Sequence, residues 1–274
     1  MSVHLVGGGR DLAVAASVYG GFLAQAGRRA LSSGRTVPRI GVVLVADRDD
    51  LADGVDWFRQ ALARCGPADG VCVDPVAAEV VSVTAELEGD LSLEDRSVPT
   101  ALWWAGLDGL LVGGGLTPAY HRALLPHAVG IRDAVAGGLP YAGFSAGAMI
   151  APQQALLGGW RLGLTAVTHE DNAEDLDQVT VVEGLGLIST SVEVHTTQWG
   201  TLSRLIATVA AGMVSSGIAV DENTVVILDP ATDGGSTNSG AAGPVDVVGT
   251  GQAWLLTADD GAVRVDRREP GRFR

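Results

Sequence analysis

Short apolar runs alternate with longer amphipathic segments along the first half of the chain. Such runs are typical of buried strands, and we predict strands at Val3–Val6, Arg39–Ala46, Ala78–Thr84, Leu107–Val112 and Tyr141–Phe144. The intervals between them have helical spacing, which predicts helices over Asp11–Ser32, Asp50–Cys65 and about Pro118–Ala136, with a short helix from Ala146. This alternation predicts an α/β fold whose mostly parallel sheet is covered by helices on both faces.

The second half of the chain has a more mixed pattern. Alternation predicts a strand over Leu187–His195, and an apolar stripe predicts a helix over Gln198–Met213. Short strands are expected at Ile218–Asp221 and Thr224–Leu228, a loop at Asp233–Gly243, and a closing β-ribbon over Val245–Arg264. Since no segment has the composition of a linker between domains, we expect a single domain over residues 1–274.

Charge and composition narrow the range of functions. A formal net charge of −14 disfavours binding to nucleic acid or to an anionic membrane surface. The N-terminus lacks the basic region of a signal peptide, which predicts a cytoplasmic location. The sequence contains no lysine, and this excludes Schiff-base chemistry and a Ser–Lys dyad.

Candidate chemistry lies where two predicted strands end. Gly143–Gly147 follows the strand Tyr141–Phe144 and has the pattern G-x-S-x-G, which is typical of a nucleophile elbow with Ser145 at its turn. The N–H of Ala146 would then face a developing oxyanion. Gly113–Gly115 ends the neighbouring strand, and its amides could supply a second donor without Cβ clashes.

A serine nucleophile needs a base, and the chain has five histidines. The end of a strand favours His195 over the other four, which are His4, His121, His127 and His169. Glu193 lies two residues before His195, on the same face of the predicted strand.

Four motifs in this order resemble those of the cyanophycinase and dipeptidase E family of serine peptidases. They are Gly-Gly-Gly-Leu-Thr-Pro (113–118), Gly-Phe-Ser-Ala-Gly-Ala (143–148), Glu-Val-His (193–195) with Arg204-Leu205 after it, and Gly-Ile-Ala-Val-Asp-Glu-Asn (217–223). The resemblance implies a three-layer, flavodoxin-like fold of the class I glutamine amidotransferase type. It also implies an aspartyl peptide as substrate, no metal or organic cofactor, and a homodimer as an assembly that the family allows.

The resemblance assigns roles to individual residues. It implies Ser145 as nucleophile, His195 as base and Glu222 as the acid that orients the base, with Glu193 as a rival acid. The amides of Gly115 and Ala146 would form the oxyanion hole. By position, the substrate would contact Leu116, Thr117, Glu193, Trp199 and Arg204.

Two departures from the family pattern bear on the substrate. Cyanophycinases usually have an Arg-Gly-Arg stretch after the histidine, where this chain has Trp199-Gly200-Thr201, and the family pattern usually has a polar residue where this chain has Leu116. Loss of an arginine fork removes a bidentate carboxylate partner, which argues against cyanophycin itself. The acidic segment Glu170–Asp177, with five carboxylates, could attract a cationic substrate end.

The predicted activity is hydrolysis of a small peptide. An esterase or amidase, or a non-catalytic binding protein, remains an alternative.

Overall fold

An eight-stranded sheet forms the centre of the protein in a computed structural model that describes residues 2–65, 79–86, 104, 106–229 and 245–273. Its strands in spatial order are β16 (Gly271–Phe273), β13 (Val245–Gly249), β12 (Thr224–Leu228), β1 (Val3–Val6), β5 (Tyr141–Phe144), β4 (Gly109–Val112), β2 (Arg39–Ala46) and β3 (Glu79–Glu86). Five neighbouring strands of this sheet, β1, β5, β4, β2 and β3, run parallel to one another. The other pairings in the sheet, β1 with β12, β12 with β13 and β13 with β16, are antiparallel.

Helices cover both faces of this sheet because its strands are apolar on both sides. On one face α1 (Ala15–Ser32) and α2 (Arg48–Ala63) pack on side chains such as Val42 and Leu44. On the other face Val43 and Val45 belong to a core that also includes the helices α3 (Thr117–Leu124), α4 (Ala128–Ala136), α5 (Ala146–Met149) and α6 (Leu202–Ala210). The alternation of neighbouring valines between two cores is the physical basis of the three layers.

A second, four-stranded sheet packs on the same core as α3 to α6. Its strands in order are β10 (Ser191–Val194), β11 (Ser216–Val220), β14 (Ala253–Asp259) and β15 (Ala262–Arg268). Two short pairs complete the structure, β6 (Gln154–Gly158) with β9 (Thr180–Glu183) and β7 (Arg161–Leu162) with β8 (Thr165–Ala166). The mostly parallel sheet with helices on both faces confirms the predicted fold class.

Three predicted elements differ in kind from the observed ones. The helix over about Pro118–Ala136 is divided by the 3₁₀ turn Leu125–His127, since Pro126 has no N–H to continue an α-helix. The predicted helix Gln198–Met213 is a π-helical turn, Thr196–Gly200, followed by α6. The expected C-terminal ribbon is divided between the sheets, because β13 and β16 join the central sheet while β14 and β15 form a hairpin in the second.

Two further features concern segments outside the sheets. The loop predicted at Asp233–Gly243 lies outside the described residues. Among the described helices, none combines the length and the apolar character that crossing a bilayer requires.

Candidate active site

Ser145 occupies a sharp turn between β5 and α5. Its φ of 51° and ψ of −110° are unusual for a residue with a side chain. Glycine is needed on both sides of the turn. A Cβ added to Gly143 would lie 2.4 Å from the Gly147 oxygen, and one added to Gly147 would lie 2.4 Å from the Val112 oxygen. The local sequence therefore folds into the strained elbow that the G-x-S-x-G pattern predicts.

His195 follows the last residue of β10 and faces Ser145. Its Nε2 lies 2.8 Å from the Ser145 Oγ, within hydrogen-bond distance. The backbone has a left-handed φ of 53°, and its N–H donates to the Gly7 oxygen at 2.9 Å. Gly8 leaves the room that the imidazole occupies, because a Cβ there would lie 2.1 Å from the His195 Cε1.

Glu222 lies in the turn between β11 and β12, on the other side of the imidazole. Its Oε1 is 2.7 Å from the His195 Nδ1. An ionised carboxylate only accepts hydrogen bonds, so Nδ1 carries the proton in this pair and Nε2 is left to accept from the Ser145 hydroxyl. The Gln198 Oε1 accepts from the Glu222 N–H at 2.9 Å and fixes the turn. The structure thus brings Ser145, His195 and Glu222 into one hydrogen-bonded chain.

The electrostatics suit His195 to accept a proton. Burial lowers the pKa of His195, and the carboxylates of Glu222 and Glu193 offset part of that effect. A lowered pKa keeps the imidazole neutral at neutral pH, which is the form that a general base requires.

The two backbone amides predicted for the oxyanion hole belong to Gly115 and Ala146. Ala146 is the first residue of α5, so its N–H has no partner within the helix. Gly115 lies in the cleft wall. Neither amide donates a hydrogen bond to any residue in the described ranges. Gly114 also brings its strand end close to the serine, since a Cβ there would lie 2.8 Å from the Ser145 Cβ.

Ser145, His195 and Glu222 line an acidic cleft of about 960 Å³. Leu116 and Trp199 line it, as predicted for substrate contacts, and so do Trp160 and Arg10. Each carboxylate residue of the acidic segment also lines it, namely Glu170, Asp171, Glu174, Asp175 and Asp177. Burial raises the pKa of Glu174, whose Oε2 accepts from the Thr117 N–H at 2.8 Å. The cleft therefore presents mainly negative charge to a ligand.

The structure places three of the five predicted substrate contacts away from the cleft. Glu193 and Arg204 are buried and form a bidentate ion pair with nitrogen–oxygen distances of 2.7 and 2.8 Å. Arg204 also donates to the backbone oxygens of Asn172 and Gly159, at 2.6 and 3.2 Å. Thr117 is buried too, and its hydroxyl faces the Met149 sulfur.

This ion pair distinguishes the surroundings of the two candidate acids. Glu193 accepts from Arg204, whereas the carboxylate on the His195 ring belongs to Glu222. The sequence placed Glu193 and His195 on one face of a strand, but that face is inside the core, where each side chain has its own partners.

Some residues around the site were not found from the sequence. Gly8 adjoins the imidazole, and Asp221, buried beside Glu222, accepts from the Thr197 N–H at 3.0 Å and from its hydroxyl at 2.7 Å. The run Gly7–Gly9 at the end of the first strand is the sequence signal for this close approach.

Comparison with known proteins identifies a similar family and similar structures. Residues 100–232 match the sequence model of peptidase family S51. A peptidase from an acI-B1 Actinobacterium has the same fold, with a TM-score of 0.58 and 17% identity over 98% of this chain and 94% of its own. A putative peptidase E protein from Listeria monocytogenes EGD-e aligns with a TM-score of 0.44 and 12% identity over 98% of each chain. Comparison with curated protein sequences gives no match.

The matched segment contains the elbow serine, the histidine and the glutamate of the hydrogen-bonded chain. The match confirms the resemblance inferred from the four sequence motifs. Residues 100–232 are thus similar to peptidase family S51, and this similarity supports a serine-type peptidase.

Proposed function

We propose that the protein hydrolyses small peptides by acyl transfer through Ser145, His195 and Glu222. The observation that carries this proposal is the unbroken hydrogen-bonded chain from the Ser145 Oγ through both ring nitrogens of His195 to the Glu222 carboxylate. A hydroxyl is a weak nucleophile at its ordinary pKa, and an adjacent oriented imidazole is what activates it.

In the proposed reaction, His195 takes the Ser145 proton as Oγ attacks the scissile carbonyl. The amides of Gly115 and Ala146 donate to the resulting oxyanion. His195 then protonates the leaving amine, and the C–N bond breaks. Water, deprotonated by His195, attacks the acyl-enzyme and releases the acid product and free Ser145. Glu222 holds the imidazole in the required tautomer throughout.

The charge of the cleft supports a substrate with a cationic end. Five carboxylate residues of the segment Glu170–Asp177 line the cleft, against one lining cation, Arg10. A cleft lined by one sign of charge concentrates ligands of the opposite sign. We therefore propose a short peptide whose α-ammonium group or basic side chain faces the acidic segment, with an aspartyl residue at the scissile bond as the family resemblance implies.

Peptide hydrolysis by the purified protein tests this proposal. A dipeptide library should contain α- and β-aspartyl members, each paired with a basic and with a neutral second residue. We expect turnover of aspartyl peptides, faster for basic partners, and none with Ser145→Ala. Ser33→Ala, at an exposed serine after α1, is the matched control and should retain wild-type turnover.

The other outcomes separate the alternatives. Turnover of a p-nitrophenyl ester without turnover of any peptide would assign the triad to an esterase. Peptide binding by calorimetry with no hydrolysis of either substrate would instead favour a binding protein on this fold.

A further inference from the structure

An indole lies flat on the imidazole of His195. The rings of Trp199 and His195 have centroids 3.8 Å apart and planes only 6° from parallel. Trp199 is 47% exposed and lines the cleft, yet one face of its ring lies against the imidazole. Packing in the core does not explain why an exposed tryptophan stacks so closely on His195.

The π-helical turn after β10 produces this stack. Trp199 lies four residues after His195, and the backbone N–H of Trp199 donates to the backbone oxygen of His195 at 2.8 Å. Residues four apart in a helical turn lie on the same side, which brings the two rings together. The turn widens here, since the Thr201 N–H donates to the Thr196 oxygen, and such single π turns are frequent at functional sites.

Neighbouring hydrogen bonds hold the indole in place. Thr197 is bound to the buried Asp221, and Gln198 to the Glu222 N–H. The Asn172 side chain donates to the Trp199 oxygen at 2.9 Å. Each of the residues 197, 198 and 199 is therefore anchored, two of them to the turn that carries the triad acid.

We propose that Trp199 is a positioning residue for the base: its indole fixes the plane of the His195 ring and shields one face of that ring from water. This inference rests on the proposed function. The torsion that turns an imidazole about its Cβ–Cγ bond is broad and roughly two-fold, so the side chain alone does not fix the plane. Both hydrogen bonds of the ring require one plane, in which Nε2 faces Ser145 and Nδ1 faces Glu222.

Removal of the indole should also change how His195 titrates. The charged groups around the ring are Glu222 at Nδ1, Glu193 on the same strand, Asp221 beside the acid and Arg10 in the cleft wall. All of them are retained in a Trp199 variant. Burial is the main cause of the lowered pKa of His195, so hydration of the uncovered face should raise that pKa toward its ordinary value.

Two substitutions separate positioning from substrate contact. Trp199→Ala removes the stack, and Trp199→Phe keeps a smaller ring on the imidazole. For Trp199→Ala we expect kcat to fall by about 10- to 100-fold, KM to change by less than about threefold, and the acid limb of the kcat/KM profile to move to higher pH. Trp199→Phe should retain most of the wild-type kcat. Trp160→Ala, at another indole of the cleft wall, is the comparison and should change KM rather than the pH profile.

A spectroscopic readout makes the test independent of turnover. The His195 Cε1 proton, assigned by its absence in His195→Gln, should be shifted upfield by the ring current of the stacked indole. That shift should disappear in Trp199→Ala and persist in part in Trp199→Phe. Circular dichroism and thermal melting check that each variant is folded.

The outcomes are distinct from those that test the proposed function. If wild type hydrolyses peptides but Trp199→Ala raises only KM, with kcat, the pH profile and the Cε1 shift unchanged, the positioning role is refuted and Trp199 is a substrate wall. If wild type hydrolyses no peptide, the proposed function fails. The Cε1 shift then still reports whether Trp199 orders the ring.

Discussion

Substitution of Gly8 by alanine should displace the His195 ring without replacing Ser145, His195 or Glu222. The added Cβ would lie 2.1 Å from the His195 Cε1, whereas ordinary contact begins at 3.4 Å, so the ring must move by about 1.3 Å. The Ser145 Oγ and His195 Nε2 are 2.8 Å apart, and a shift of that size would take them beyond hydrogen-bond distance. A misplacement of about 1 Å at a reacting group can cost about 100-fold in rate.

We therefore expect Gly8→Ala to lower kcat/KM by about 100-fold. Its φ of +99° also disfavours alanine, which should cost about 1–3 kcal/mol of stability. The matched control is Gly20→Ala in α1, where an added Cβ meets no atom within 4 Å. That substitution should keep full activity and stabilise the protein by about 0.5–1 kcal/mol.

Steady-state kinetics and thermal melting measure both effects, and the rate of fluorophosphonate inactivation reports on Ser145 activation without any peptide. A folded Gly8→Ala protein that turns over and is inactivated at wild-type rates would refute the reasoning. It would mean that the position of the His195 imidazole does not depend on the absence of a side chain at Gly8.

Three more predictions concern the polar residues Glu222, Glu193 and His4. Glu222→Gln should lower kcat by about 10²–10⁴-fold with little change in melting temperature, because an amide can stabilise the wrong imidazole tautomer; wild-type kcat would exclude Glu222 as the acid. Glu193→Ala should destabilise the protein by about 3–5 kcal/mol in chemical denaturation, because it leaves the Arg204 charge buried and unpaired. Replacement of both residues by Met and Leu should recover part of that loss, because the unpaired charge is removed while the backbone oxygens of Asn172 and Gly159 lose their donor; no recovery at all would contradict an unpaired charge as the cause. Burial lowers the pKa of His4 to about 3, so the folded state favours its neutral form. This contribution is complete above the ordinary pKa of about 6.5, and the free energy of unfolding should fall by about 1.4 kcal/mol per pH unit as the pH drops from about 6 to 4. His4→Gln should reduce this slope, and equal slopes in both proteins would contradict the assignment.

The sequence predicted the central sheet well because parallel strands buried on both faces form unbroken apolar runs. Val3–Val6, Arg39–Ala46 and Tyr141–Phe144 have the predicted bounds. The elbow was predictable for a related reason: the turn at Ser145 tolerates only glycine at positions 143 and 147, and this requirement is visible in the sequence.

Other features depend on tertiary contacts that a one-dimensional pattern does not contain. The final strands divide between two sheets, which alternation alone cannot indicate. Glu193 and Arg204 look like accessible polar residues near a catalytic histidine, and only the fold shows that they pair in the core. The importance of Gly8 likewise comes from a ring that lies 187 residues later in the chain.

Intact-mass analysis after incubation with a fluorophosphonate tests the central claim most directly. We predict one adduct on the wild-type protein, none on Ser145→Ala, and a slower rate of modification for His195→Gln and Glu222→Gln. A wild-type protein that remains unmodified, or an adduct that persists in Ser145→Ala, would contradict the assignment of Ser145 as an activated nucleophile.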